Sequence, residues 1–330
     1  MMKMKIILFI SFLSLLMVSC SDYQKVVKSD NYEEKANVAD RLYDHGSYTK
    51  ALTLYEQVYQ RFPQTGRGEL AYYRLAKSYY EMGDYYMAGY YFNNFPKRYP
   101  SSEKVEECLF MTGICSVKSS PEASLDQEET YLALNDFQLF VQRFPNSDLI
   151  DSCNRVMDRL RFKLETKDFN SVQLYDKTEQ YRAALVSAET FLEEYPQSSY
   201  KEDVAFIALD NAYNLAMNSI FSKKKERLEK VLELHGKYVT VFEKRSYQNQ
   251  ATKIYESIGE ELSRVDEQYD YNEILAAYEK SKTTSKEKKT TYLKETLKRY
   301  DNFAKKYPES EYLNKVKNLK EKAEEELINI

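Results

Sequence analysis

Five times along this chain an aromatic residue is followed by proline and, two residues later, by serine or threonine. The copies are Phe62-Pro63-Gln64-Thr65, Tyr99-Pro100-Ser101-Ser102, Phe144-Pro145-Asn146-Ser147, Tyr195-Pro196-Gln197-Ser198 and Tyr307-Pro308-Glu309-Ser310. Proline lacks the N–H that a helix interior requires, and a following Ser or Thr is a favoured N-cap. Each copy therefore ends one helix and opens the next, so the chain is punctuated into helix-turn-helix corners.

The first two copies share more than the corner. Gly46-Ser47-Tyr48 precedes Ala51, Tyr55, Val58 and Pro63, and Gly83-Asp84-Tyr85 precedes Ala88, Phe92, Phe95 and Pro100 at identical spacing, a period of 37 residues. Ala39 and Ala76 each stand seven residues before the glycine. This pattern resembles the tetratricopeptide repeat, a helical pair in which small residues let two helices approach and a proline closes the second. The third and fourth copies are looser. Ala133, Phe137, Phe140 and Pro145 lack the preceding glycine, as do Tyr181, Ala184, Ala188, Phe191 and Pro196, and Ser119 to Ser124 reads as an inserted loop. Tyr238 to Ser246 is a degenerate copy without its proline. The expected fold is all-α, an α-solenoid of tandem tetratricopeptide-like hairpins over residues 31–220, with a C-terminal helical region carrying degenerate repeats over 221–330. Lys286 to Thr291 reads as a linker or exposed helix edge, and Tyr307 to Ile330 as a terminal helix.

Composition agrees. Glycine is scarce, at 8 of 330 residues, and charged residues of both signs make up 30% of the chain, while no window alternates like a hairpin strand. Tyrosine is the anomaly, with 31 residues against no tryptophan. An amphipathic ring can bury its face in a shallow inter-helix core while its hydroxyl reaches a polar partner.

At the N-terminus Lys3 and Lys5 precede the apolar run Ile6 to Val18, too short for a permanent membrane span but suited to a signal-peptide core. The run ends in Leu16-Met17-Val18-Ser19-Cys20, which resembles the bacterial lipobox, with Met17 where leucine is usual. Residues 1–19 are then a removed signal peptide, Cys20 is the acylated anchor and 20–30 a tether. Ser21 rather than Asp after the cysteine points to the outer membrane, facing the periplasm. The net charge of −4 becomes −6 once Lys3 and Lys5 are removed, which is no nucleic-acid signature. The basic runs Lys223-Lys224-Lys225 and Lys286 to Lys289 read as solvated faces or linkers.

Residue types for chemistry are few. Cys108, Cys115 and Cys153 read as buried thiols, with a Cys115 to Cys153 disulfide as the alternative. His45 and His235, each just before a glycine, read as helix-end residues. There is no Cys/His cluster, phosphate loop or nucleophile elbow, so no catalytic residue, metal or cofactor is expected. The chain reads as a binding protein rather than an enzyme.

Stacked hairpins present a concave surface built from their first helices, and such grooves take extended peptides. By the repeat spacing those helices are Asn31 to His45, Glu69 to Met82, Glu103 to Val117 and Asp148 to Asp168. Tyr43, Tyr72, Arg74 and Tyr79 are the groove candidates, whereas Tyr73 and Tyr80 are assigned to the core or outer face. The lipobox Cys20, the repeat from Ala39 to Pro63 ending in Tyr59-Gln60-Arg61-Phe62-Pro63, and the next ending in Lys97-Arg98-Tyr99-Pro100 together resemble the BamD (ComL-like) family of outer-membrane lipoproteins over residues 20–220. That resemblance implies a non-catalytic scaffold of the β-barrel assembly machinery. Its partners would be the periplasmic domains of a BamA-like barrel subunit and unfolded outer-membrane proteins, received through aromatic-rich C-terminal segments. The alternatives are another tetratricopeptide lipoprotein scaffold serving cell-wall enzymes, or a SusD-like glycan-binding lipoprotein; the absence of tryptophan weighs against the second.

Overall fold

Every aromatic-Pro-x-Ser/Thr corner closes on the same hydrogen bond. In the computed structural model, which describes residues 22–242 and 246–329, the Thr65 N–H donates to the Phe62 carbonyl at 3.2 Å, and Ser102, Ser147, Ser198 and Ser310 repeat this to Tyr99, Phe144, Tyr195 and Tyr307. Proline occupies the second position of the turn, where its fixed φ fits. The side chains then divide. Thr65 is an N-cap as expected, accepting from the Gly68 N–H at 3.2 Å. The four serines instead accept from the N–H two residues on, at Lys104, Leu149, Tyr200 and Tyr312. A second turn follows, so those helices begin three residues after the serine. The difference is glycine. A Cβ on Gly68 would lie 1.9 Å from the Phe62 carbonyl oxygen, so only there can the new helix start against the corner itself.

The helices are α1 (residues 22–28), α2 (Tyr32–Asp44), α3 (Tyr48–Arg61), α4 (Gly66–Glu81), α5 (Tyr85–Arg98), α6 (Val105–Ser119), α7 (Glu128–Arg143), α8 (Ile150–Lys177), α9 (Tyr181–Glu194), α10 (Lys201–Met217), α11 (Phe221–Val241), α12 (Gln248–Lys282), α13 (Lys286–Lys306) and α14 (Leu313–Ile328). No strand occurs among the described residues. The protein is all-α, and its hairpins stack in sequence order in the tetratricopeptide manner. Contacts group the chain into two units that divide within α8, one up to Lys167 and one from Asp168 onward, so the repeats expected over 31–220 run through both.

In the first unit α2 packs on α3, α3 on α4, and so on through α7. Its core is Ala39, Ala51, Leu54, Tyr55 and Val58, then Tyr72, Ala76, Ala88, Phe92 and Phe95, then Ala133, Phe137 and Phe140 against the first half of α8. The alanines that define the repeat are fully buried where helices approach. In the second unit Phe169 and Val172 of α8 pack with Ala188 and Phe191 of α9 and with Val204, Ala208 and Leu209 of α10. There α12 is 35 residues long and pairs with α13.

The glycine of the repeat has a conformational task. Gly46 (φ 74°) and Gly83 (φ 78°) hold the left-handed residue just past α2 and α4, and the next N–H donates back, Ser47 to Leu42 at 2.7 Å and Asp84 to Tyr79 at 3.0 Å. The fourth copy makes the same turn, Gln180 to Tyr175 at 2.9 Å, with Glu179 (φ 54°) in the glycine's place. The motif's geometry thus persists where its residue does not.

Two expectations need correction, and one alternative is decided. His45 does cap α2, but His235 and Gly236 lie inside α11, whose buried Leu228, Val231, Leu234 and Tyr238 carry the helix through the glycine. Of the two readings of Lys286 to Thr291 the exposed helix edge holds, since it opens α13, with Lys289 paired to Glu326 at 2.8 Å. Lys224, expected in a solvated run, is tucked in an ion pair with Glu261. In the degenerate copy at Tyr238 to Ser246, Phe242 caps α11 and Ser246 Oγ donates to Glu202 at 3.1 Å, as Ser102 Oγ does to Glu69 at 2.6 Å, while residues 243–245 lie outside the described residues. The signal peptide, Cys20 and Ser21 lie outside the described residues.

Candidate functional site on the first-helix face

A tyrosine whose ring is buried must still place its hydroxyl, and in this chain it often does so on a carboxylate of a neighbouring helix. Tyr55 Oη donates to Asp40 at 2.6 Å, Tyr73 Oη to Glu107 at 2.6 Å, Tyr195 Oη to Asp168 at 2.7 Å and Tyr247 Oη to Asp203 at 2.7 Å. On the face made by α2 and α4 this habit builds a site. With one Asp40 oxygen engaged by the buried Tyr55, Arg74 of α4 meets the same carboxylate only at 3.8 Å, and its buried Nε makes no hydrogen bond. The guanidinium lies 4.9 Å from the centre of the Tyr43 ring, which is held edge-on by Tyr48. Burial first, then the nearby Glu81 carboxylate, push the Tyr43 hydroxyl up from its ordinary range, so it stays a neutral donor at physiological pH.

One turn along, Lys77 approaches Glu107 at 3.7 Å and Lys104 sits 5.1 Å over the Tyr73 ring, which extends the face onto α6. Burial, followed by the Glu107 hydrogen bond, raises the Tyr73 hydroxyl strongly. The result is a ladder of ring, cation and carboxylate from α2 to α6. An Arg fork beside an aromatic ring, with a carboxylate partner held beyond hydrogen-bond reach, can pair an incoming carboxylate and seat an aromatic side chain next to it.

The four groove candidates separate into two pairs. Tyr43 and Arg74 meet on this face. Tyr72 and Tyr79 lie on the other side of α4, because five positions amount to about 140° around a helix. Tyr79 stacks on Tyr91 of α5 with centroids 5.4 Å apart. Tyr72 is 1% exposed, enclosed by Tyr59, Tyr91 and Tyr99, with Arg98 5.2 Å from its ring centre. These two tyrosines build the wall behind the face. Asp40, Lys77 and Glu107 are not among the groove candidates of the sequence, and Tyr55 and Tyr73 enter it only as a repeat position and a core or outer-face residue. The spacing Tyr73-Arg74-Lys77 on one helical stripe was the available signal; the Tyr73 ring packs on Phe95 of the core, as expected, while its hydroxyl reaches Glu107 on this face.

The three described cysteines are free and buried, and burial pushes the thiols of Cys108 and Cys115 up to about 12. No helix among the described residues is long and apolar enough to cross a membrane.

Residues 29–230 match the model of a family described as outer membrane lipoprotein, YfiO. The chain belongs to this family. It is 24% identical over 236 residues to the outer membrane protein assembly factor BamD of Pasteurella multocida (strain Pm70), covering 68% of this chain and 89% of that one. To the protein of the same name from Vibrio cholerae serotype O1 it is 22% identical over 224 residues, 65% of this chain and 93% of that one. Among solved structures, the TPR domain of P58(IPK) aligns with 88% of this chain and 77% of its own at 13% identity and a TM-score of 0.33. The family match takes in the whole candidate face and continues through α10 into α11.

Proposed function

We propose that this protein is a non-catalytic periplasmic adaptor in outer-membrane β-barrel assembly, held to the membrane by an acylated Cys20. Its first-helix face receives the extended, aromatic-ended C-terminal segments of unfolded barrel proteins, and another of its surfaces docks the BamA-like barrel subunit. The observation that carries the reading is Arg74, clamped over Tyr43 with its Asp40 partner at 3.8 Å, on the α2 and α4 face of a chain in this family. A peptide ending in an aromatic residue offers a carboxylate that can come within hydrogen-bond reach of the guanidinium and a second ring for Tyr43.

The test is a fluorescence titration of the full chain in detergent with a labelled barrel C-terminal peptide, as the free acid and as the amide. The free acid binds more tightly, Arg74→Ala removes that preference by about tenfold, and Tyr43→Ala weakens both forms. Equal binding of acid and amide to wild type and Arg74→Ala would sink the assignment.

A further inference from the structure

A second recess opens in the first unit, away from Arg74 and independent of the reading above. It is about 330 Å³ and lies where α5, α6 and α7 meet. Gly89 allows it: a Cβ there would come 3.3 Å from Cys115 Cβ, so its absence lets α5 settle on α6 and leaves a floor of small residues. The α5 wall is aromatic, with Tyr86 83% and Tyr90 53% exposed, one helical turn apart on the same stripe. The α7 wall carries Glu129, the exposed Leu132 and Asp136 at i, i+3 and i+7, one stripe of the helix.

The charge has one sign. Two carboxylates line the recess and no lysine or arginine does. Asp136 is half-buried, and the Ser116 hydroxyl donates at 2.6 Å to one of its carboxylate oxygens. Burial raises its carboxyl above the ordinary range, a cost that a neighbouring cation would offset. The carboxylates of this unit met so far in the ladder each face a cation: Asp40 has Arg74, and Glu107 has Lys77. Here the cation is missing while two exposed rings stand ready to flank one.

We propose that this recess binds an arginine side chain presented by a polypeptide partner, its guanidinium pairing with Asp136 and stacking between Tyr86 and Tyr90. A flat guanidinium suits the site better than an ammonium, because it can stack on a ring face and direct its N–H groups at a carboxylate at once. Glu129 at the rim supplies the steering charge.

The experiment is a titration of the detergent-solubilised full chain, followed by amide chemical shifts, with a short glycine-flanked peptide bearing one arginine and with its citrulline counterpart. Citrulline keeps the shape and removes the charge. The arginine peptide binds at least about tenfold more tightly and shifts resonances of Leu132 and its α7 neighbours. Asp136→Asn, which retains an oxygen for Ser116, lowers affinity at least about fivefold, and Tyr90→Ala, at an exposed position, does so without loss of helical content. Arg74→Ala leaves this binding unchanged, which keeps the outcome separate from that of the first-helix face. Equal binding of the two peptides, no binding of either, or an unaltered affinity in Asp136→Asn would each overturn the proposal.

Discussion

The two units solve the same packing problem with different materials. Up to Lys167 the hairpins are short, 13 to 16 residues per helix from α2 to α7, and rings close them: Tyr72 alone has Tyr59, Tyr91, Phe95 and Tyr99 within 6.3 Å. From Asp168 onward helices reach 35 residues, and inter-helix ion pairs share the work, among them Lys225–Asp266 at 2.7 Å, Lys230–Glu189 at 3.1 Å and Lys306–Asp270 at 2.9 Å. A short helix buries few side chains, so each must be large. A long one can spread its contacts and tolerate charge along its length. The candidate binding face lies in the aromatic unit, where rings and cations already alternate.

If this contrast is physical, single substitutions should separate the units in size of effect. The largest belongs to Phe95→Ala, a fully buried ring at the centre of the first unit, expected to cost about 3–5 kcal/mol. Hydrogen exchange read peptide by peptide should show the loss in residues 22–167 and leave α12 and α13 protected. Uniform loss would mean that the contrast does not extend to stability. Next comes Lys224→Ala, which leaves the largely buried Glu261 only the more distant Arg264, at 3.5 Å, and should cost about 1–2 kcal/mol by the same readout in α11 and α12.

The left-handed turn offers a sharper comparison, because one geometry is made by glycine in the first unit and by glutamate in the second. Gly83→Ala should destabilise by about 1–2 kcal/mol, the cost of a side chain in that conformation, whereas Glu179→Gly should gain up to about 1 kcal/mol in denaturant unfolding. A loss on Glu179→Gly would show that the glutamate side chain contributes more than its backbone costs. The smallest effect is expected for Lys306→Ala, below about 1 kcal/mol and shrinking with salt, since the pair is solvent-exposed.

Alkaline pH tests the tyrosine cores as a class. Burial raises Tyr91 and Tyr99 to about 12, and it raises Tyr278 to about 12 with help from its hydrogen bond to Glu326. The folded state therefore prefers the neutral phenol. That stabilisation is fully present below the ordinary tyrosine value near 10 and is lost as pH climbs from there to about 12. Tyrosinate absorbance should rise together with loss of helical circular dichroism in that window. Ionisation completed near pH 10 with helices intact would contradict the burial assigned to these rings.

Much of this architecture was legible because proline and glycine act locally. Pro63 and Pro100 cannot sit in a helix interior, and Gly46 and Gly83 take a conformation few other residues adopt, so the first hairpins are written in the sequence residue by residue. The same logic failed at Gly236, where packing of Leu234 and Tyr238 carries the helix past a weak former, and it left Lys286 open between linker and helix edge, because charge masks the start of α13. The face itself was half legible. Arg74 and Tyr43 follow from repeat position, but Asp40 and Glu107 matter through partners on other helices, which no local pattern reports. Tyr72 and Tyr79 carried the right composition on the wrong stripe of α4, a distinction the 3.6-residue period contains.

The most direct test of the central claim is affinity purification of the tagged, membrane-extracted protein from its own cells, wild type beside Cys20→Ala, with identification of what co-elutes. A BamA-like barrel subunit should come with the wild-type protein, and Cys20→Ala should leave the membrane fraction. Co-elution of cell-wall hydrolases or glycan transporters in place of a barrel subunit would contradict it.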